Sequence, residues 1–135
     1  MKINYPALYG IAVGVFVALD AVWLGLIAKN LYATELKGLM TNNVKWGAAA
    51  LFYLIFIAGL IYFVIAPTLK SGSMNNLIFA GAFFGLVTYA TYDLTNYATL
   101  KGFPLKIVII DLMWGTVLSC AVATITYLLY NKIIN

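Results

Sequence analysis

The chain has 135 residues, 64% hydrophobic and 9% charged, with a mean hydropathy of +0.99. Soluble domains carry about 25% charged residues, so the composition excludes a water-soluble globule and indicates an integral membrane protein. The net charge of +4 rests on eight scattered Lys, with no Arg and no His. That excludes a basic nucleic-acid stripe, bidentate Arg recognition and His-ligated haem or metal. Cys120 is the only cysteine, so no intrachain disulfide forms.

Four apolar runs predict helices near 5–28, 45–66, 74–98 and 104–130. Each exceeds the roughly 20 residues that cross a bilayer. The expected fold is a single all-α domain over 1–135, with four transmembrane helices in an antiparallel bundle. The first run is too long for a signal-peptide core and contains Asp20, so it reads as a retained helix. Pro6 and Pro104 sit at helix starts, where a missing N–H costs nothing. Pro67 is expected to follow the end of the second helix. Between the first two spans, KNLYATELKGLM places Tyr32, Leu36, Leu39 and Met40 on one face, which predicts a short amphipathic interfacial helix. Short turns around KSGSMNN and KGFPLK imply adjacent antiparallel neighbours. The Lys distribution favours termini outside the cytoplasm under the positive-inside rule.

Of the four acids, only Glu35 lies in a loop; Asp20, Asp93 and Asp111 lie within spans. Counted from the loop-one side, all three sit about 8–12 Å deep. Each costs about 2.5–3.5 kcal/mol near a helix centre on insertion scales. No Lys or Arg lies in the interior of the spans, beyond Lys45 and Lys106 in their first turns, to pair with them. The three are therefore either neutral and hydrogen-bonded or charged around a cation. The segments LDAVWLG and IDLMWGT repeat an Asp followed three residues later by Trp, so Asp20 shares a face with Trp23 and Asp111 with Trp114. Tyr89, Asp93 and Asn96 share a face in the same way, with Tyr92 beside them. Trp and Tyr offer donors to a carboxylate and π-faces to a cation.

Small residues form stripes at Gly10, Gly14, Ala18, Ala21 and Gly25, at Gly81 and Gly85, and at Gly115, Ser119 and Ala123. Such stripes mark close helix packing, and each Asp sits beside its stripe, so the acids are expected to face the bundle interior. The second helix has no acid and reads as a lipid-facing wall. The membrane-span threonines, Thr124 and Thr126 among them, are expected to bond back to their own helices.

The segments LDAVWLG, FYLIFIAGLIYFVIAPTLKSGS, YATYDLTNYATLKGFPL and IDLMWGTVLS, in that order, resemble the bacterial membrane-protein family called domain of unknown function 2177. The resemblance covers nearly the whole chain. It implies a four-helix, multi-pass protein of the bacterial inner membrane and supplies no catalytic assignment and no cofactor.

The first functional reading is binding or transport at a site of Asp20, Trp23, Tyr89, Tyr92, Asp93, Asn96, Asp111 and Trp114. It would take a proton, a hard cation or a small cationic or amphiphilic ligand. Asp20, Asp93 and Asp111 are the candidate metal ligands, since oxygen donors suit Ca²⁺, Mg²⁺ or Mn²⁺. Four spans are few for a transporter, so a homodimer would be expected. The second reading is a membrane enzyme acting on a lipid or isoprenoid, against which stands the lack of a nucleophile–base pair. The third is a structural subunit whose Asp residues serve packing.

Overall fold

The computed structural model describes residues 2–135. It is built from α1 (Tyr5–Ile27), α2 (Lys29–Glu35), α3 (Trp46–Ser71), α4 (Met74–Thr99) and α5 (Leu105–Ile134). All but α2 are long and apolar enough to cross a membrane, which makes the chain a multi-pass protein of the bilayer. Closed helices satisfy their own backbone hydrogen bonds, as lipid demands. Among the described residues there is no strand.

Local chemistry sets the helix limits. The Asn4 side chain caps α1 by accepting from the Ala7 N–H at 3.1 Å, and the Asn4 N–H donates to the Tyr130 hydroxyl at 2.7 Å. This second bond ties the start of α1 to the end of α5, so the two termini lie together. Gly72, with φ 76°, ends α3 in the left-handed region, where a side chain would be strained. Ser73 caps α4 by accepting from the Asn76 N–H at 3.3 Å.

Pro67 does not end the second span. That helix runs on to Ser71, through a π-helical turn at Ile61–Ile65. The Ala66 N–H bonds five residues back to Ile61. A proline inside a helix lacks one N–H and crowds the carbonyl four residues earlier; the wider register just before Pro67 accommodates both. The last span also runs longer than expected, to Ile134.

The closest packing joins α4 and α5, with α1 and α3 laid against this pair. Gly85 and Gly115 make it possible. A Cβ on Gly85 would run into the Gly115 carbonyl and lie 2.7 Å from Ser119 Cβ. The stripes on α4 and α5 thus face each other, as small residues in membrane helices do. The stripe on α1 behaves differently. Gly10, Gly14, Ala18, Ala21 and Gly25 are all exposed, and a Cβ on Gly10, Gly14 or Gly25 would meet nothing within 4 Å. The buried face of α1 is Leu8, Ala12, Phe16 and Asp20. Phe16 packs its ring against Tyr53 and Phe56 of α3 at 5.0 and 5.5 Å. Burial of a large ring, not close backbone approach, sets how α1 rotates.

The short helix α2 forms, but Leu39 and Met40 lie beyond it and are exposed. Gly38, with φ 90°, turns the chain out of helical register first. Leu31, Tyr32 and Leu36 instead pack on Phe103, Ile107 and Val108. Glu35 adds an ion pair to Lys106 at 3.5 Å. α2 therefore docks against the start of α5. Thr88, Thr91, Thr95, Thr99 and Thr116 bond back to the carbonyls four residues earlier. Thr124 and Thr126 do not; their buried hydroxyls have no partner among the described residues.

Candidate functional site

All three membrane aspartates are buried: Asp20 and Asp111 are 8% exposed and Asp93 0%. They are not equivalent. Asp20 and Asp111 line one cavity of about 460 Å³, and Asp93 does not. That volume falls within the range of about 300–1,000 Å³ common for small-molecule pockets. Every helix contributes to the wall: Asp20 and Trp23 from α1, Tyr32 from α2, Phe52 and Tyr53 from α3, Tyr89 and Tyr92 from α4, and Asp111 and Trp114 from α5.

Each lining carboxylate has a tyrosine. The Tyr53 hydroxyl donates to Asp20 Oδ2 at 3.1 Å. The Tyr32 hydroxyl donates to Asp111 Oδ1, and Trp23 Nε1 donates to the Tyr32 oxygen at 3.1 Å. An indole, a phenol and a carboxylate thus form one chain from α1 through α2 to α5. Burial, reinforced by the Asp111 bond, pushes the Tyr32 phenol above its usual range. It stays a neutral donor at ordinary pH.

The two Asp–Trp pairs do not bond within themselves. Trp23 reaches Tyr32, and the Trp114 N–H lies near Asp20 without meeting hydrogen-bond geometry. The two indoles stack on each other instead, with centroids 4.4 Å apart and planes 10° from parallel. The helix repeat that places them alike on α1 and α5 brings them face to face across the bundle. Local backbone geometry contributes as well. The last turn of α1, Trp23–Ile27, is π-helical, with the Ala28 N–H bonding Trp23 at 2.7 Å. Such turns are frequent at functional sites. Gly115 leaves room for the Tyr89 ring, which a Cβ there would overlap.

Asp93 lies behind this wall with its carboxyl within hydrogen-bonding reach of the Asp111 carboxyl, and among the described residues no hydroxyl or N–H donates to either of its oxygens. Asn96 does not line the cavity either. The candidate metal set Asp20, Asp93 and Asp111 is not assembled as an ion cage. Among the described residues, no group of three acidic, cysteine or histidine side chains is placed to hold a metal ion. The physical reason is directional: Asp20 turns to Tyr53, Asp111 turns to Tyr32, and Asp93 sits outside the cavity.

The two tyrosines that bond the lining carboxylates are not among the site residues expected from the sequence. Tyr53 lies on α3, expected to be a wall facing lipid, yet that helix also buries Phe56, Ile57 and Leu60. Tyr32 was placed on an interfacial face, yet its hydroxyl reaches Asp111. The available signal was chemical: a tyrosine carried into an apolar setting needs a partner for its hydroxyl. A second cavity of about 330 Å³ shares Leu24, Tyr32, Tyr92 and Asp111 with the first, and Lys29 lines it. The Tyr32–Asp111 contact stands between the two.

No curated protein and no solved structure matches the chain. A family model described as predicted membrane protein, DUF2177, matches residues 5–128. The match takes in all four apolar spans almost to the end of the last, and the chain belongs to the DUF2177 family of predicted membrane proteins.

Proposed function

We propose that this is a binding protein of the bacterial inner membrane whose cavity takes a small amphiphilic organic cation. One observation carries the reading: two buried carboxylates share a 460 Å³ cavity with the rings of Trp23, Trp114, Tyr32, Tyr53, Tyr89 and Tyr92. Aromatic faces attract organic cations, by about 0.5–2 kcal/mol each. The carboxylates supply the opposite charge, and Phe52 and Leu24 supply apolar wall for the rest of such a ligand. A hard metal ion fits less well, because the three carboxylates do not converge. A proton is the natural competitor for Asp20 and Asp111. Passage across the bilayer would require a second copy, since four spans leave little room for a path.

The test is a titration of the purified chain in mild detergent with a series of tetraalkylammonium ions, read by tryptophan fluorescence. Saturable quenching is expected, weakened tenfold or more in Asp20→Asn and Asp111→Asn. Ca²⁺, Mg²⁺ and Mn²⁺ should not compete. The Tyr53–Asp20 and Tyr32–Asp111 bonds favour one other reading, that these acids only fasten helices. Asn variants that fold and quench like the parent, or a parent that never saturates, would establish that reading instead.

A further inference from the structure

A larger cavity lies at the opposite end of the bundle. It is a groove of about 1040 Å³ between α1 and α3, walled by Tyr5, Pro6, Tyr9, Tyr62 and Phe63 among others. Its floor is low because Ala58, Ala66 and Pro67 are small. It lies where the π-helical turn and Pro67 interrupt α3. At its inner end, the Tyr9 hydroxyl donates to the Leu54 carbonyl at 2.9 Å and stitches the two helices together.

Its polarity runs in one direction. Lys70 is the one charged residue lining the groove, it is exposed, and no acid lines the walls. Lys70 makes no ion pair among the described residues. It sits in the last turn of α3, two residues before the Gly72 turn, and so at the membrane surface. Tyr5, in the first turn of α1, lines the same groove, and tyrosines favour the headgroup region. From Lys70 down to Ala58, α3 descends about 18 Å. One leaflet of the hydrocarbon core is about 15 Å thick. The groove is therefore as deep as one leaflet, apolar along its depth and cationic at its mouth.

We propose that this groove holds an acyl chain of an anionic glycerophospholipid, with the lipid phosphate on Lys70. The charge and the depth together select this occupant. A zwitterionic lipid would bring a second cation beside Lys70, where no acid lines the groove to receive it, and a soluble anion would leave the apolar groove empty.

The experiment is native mass spectrometry of the full chain from mild detergent. Phosphatidylglycerol and phosphatidylcholine with identical acyl chains would be added separately. Phosphatidylglycerol should be retained about fivefold better, which is what one interfacial Lys supplies. Lys70→Gln should bring it down to the phosphatidylcholine level. Lys132→Gln, on the same side but outside the groove, should leave the preference intact. Ala58→Phe, at an exposed position on the groove floor, should lower retention of both lipids. Equal retention of the two lipids by the parent would overturn the proposal. So would an equal loss in Lys132→Gln, undiminished retention in Ala58→Phe, or a lipid-free dimer in which a second copy covers the groove.

Discussion

Glycine-to-alanine exchange at two positions separates the two kinds of small-residue stripe. At Gly85 the new methyl would overlap the Gly115 carbonyl and lie 2.7 Å from Ser119 Cβ. Ordinary contact begins near 3.4 Å, and the obstacle includes backbone, so α4 and α5 must separate. Overpacking of this kind costs about 1–3 kcal/mol, and a backbone clash belongs at the upper end. The gain in helix propensity, about 1 kcal/mol, offsets part of it. A net loss of about 2 kcal/mol follows, or about 8 °C in Tm for a chain of this size. At Gly14 the same methyl would meet nothing within 4 Å, so only the propensity gain remains. Gly14→Ala should match or slightly exceed the parent. The assay is thermal unfolding in mild detergent, followed by tryptophan fluorescence. Should Gly85→Ala melt with Gly14→Ala, the close α4–α5 approach would be wrong. A large loss in Gly14→Ala would instead mean that the bare stripe on α1 is covered by another chain.

Other consequences are as specific. Tyr53→Phe removes the donor to Asp20 and should cost about 1 kcal/mol, measurable in the same melt, whereas Lys106→Gln breaks an exposed ion pair and should cost less than about 0.5 kcal/mol. Trp23→Phe should abolish the exciton couplet that the stacked indoles give in far-ultraviolet circular dichroism; an unchanged spectrum would deny the stack. Folding raises the Tyr32 phenol above its usual value of 10.0 through burial and the Asp111 bond. Its contribution is thus fully present below pH 10 and is lost as pH rises above it, because the unfolded chain gives up that proton first. The parent should lose more stability than Tyr32→Phe between pH 9 and 11, and parallel profiles would show that Tyr32 is not docked on Asp111.

The sequence by itself determined the class and the spans. A run of twenty apolar residues has few options in lipid other than a helix, so four runs become four crossings. It also made the acids conspicuous: Asp20, Asp93 and Asp111 are costly in an apolar span wherever the helices turn. What it could not determine was rotation and partnership. Spacing gave α1 a glycine face and an Asp face, and either could have turned inward. The Phe16 packing on α3 decided that the glycine face looks outward. Spacing likewise paired Asp20 with Trp23 and Asp111 with Trp114, since neighbours three apart share a side. The bundle instead pairs Trp with Trp and each lining carboxylate with a tyrosine from another helix. Tyr32 and Tyr53 lie 79 and 33 residues from their acids. Contacts at that separation follow from how whole helices pack, a collective outcome that local periodicity does not encode.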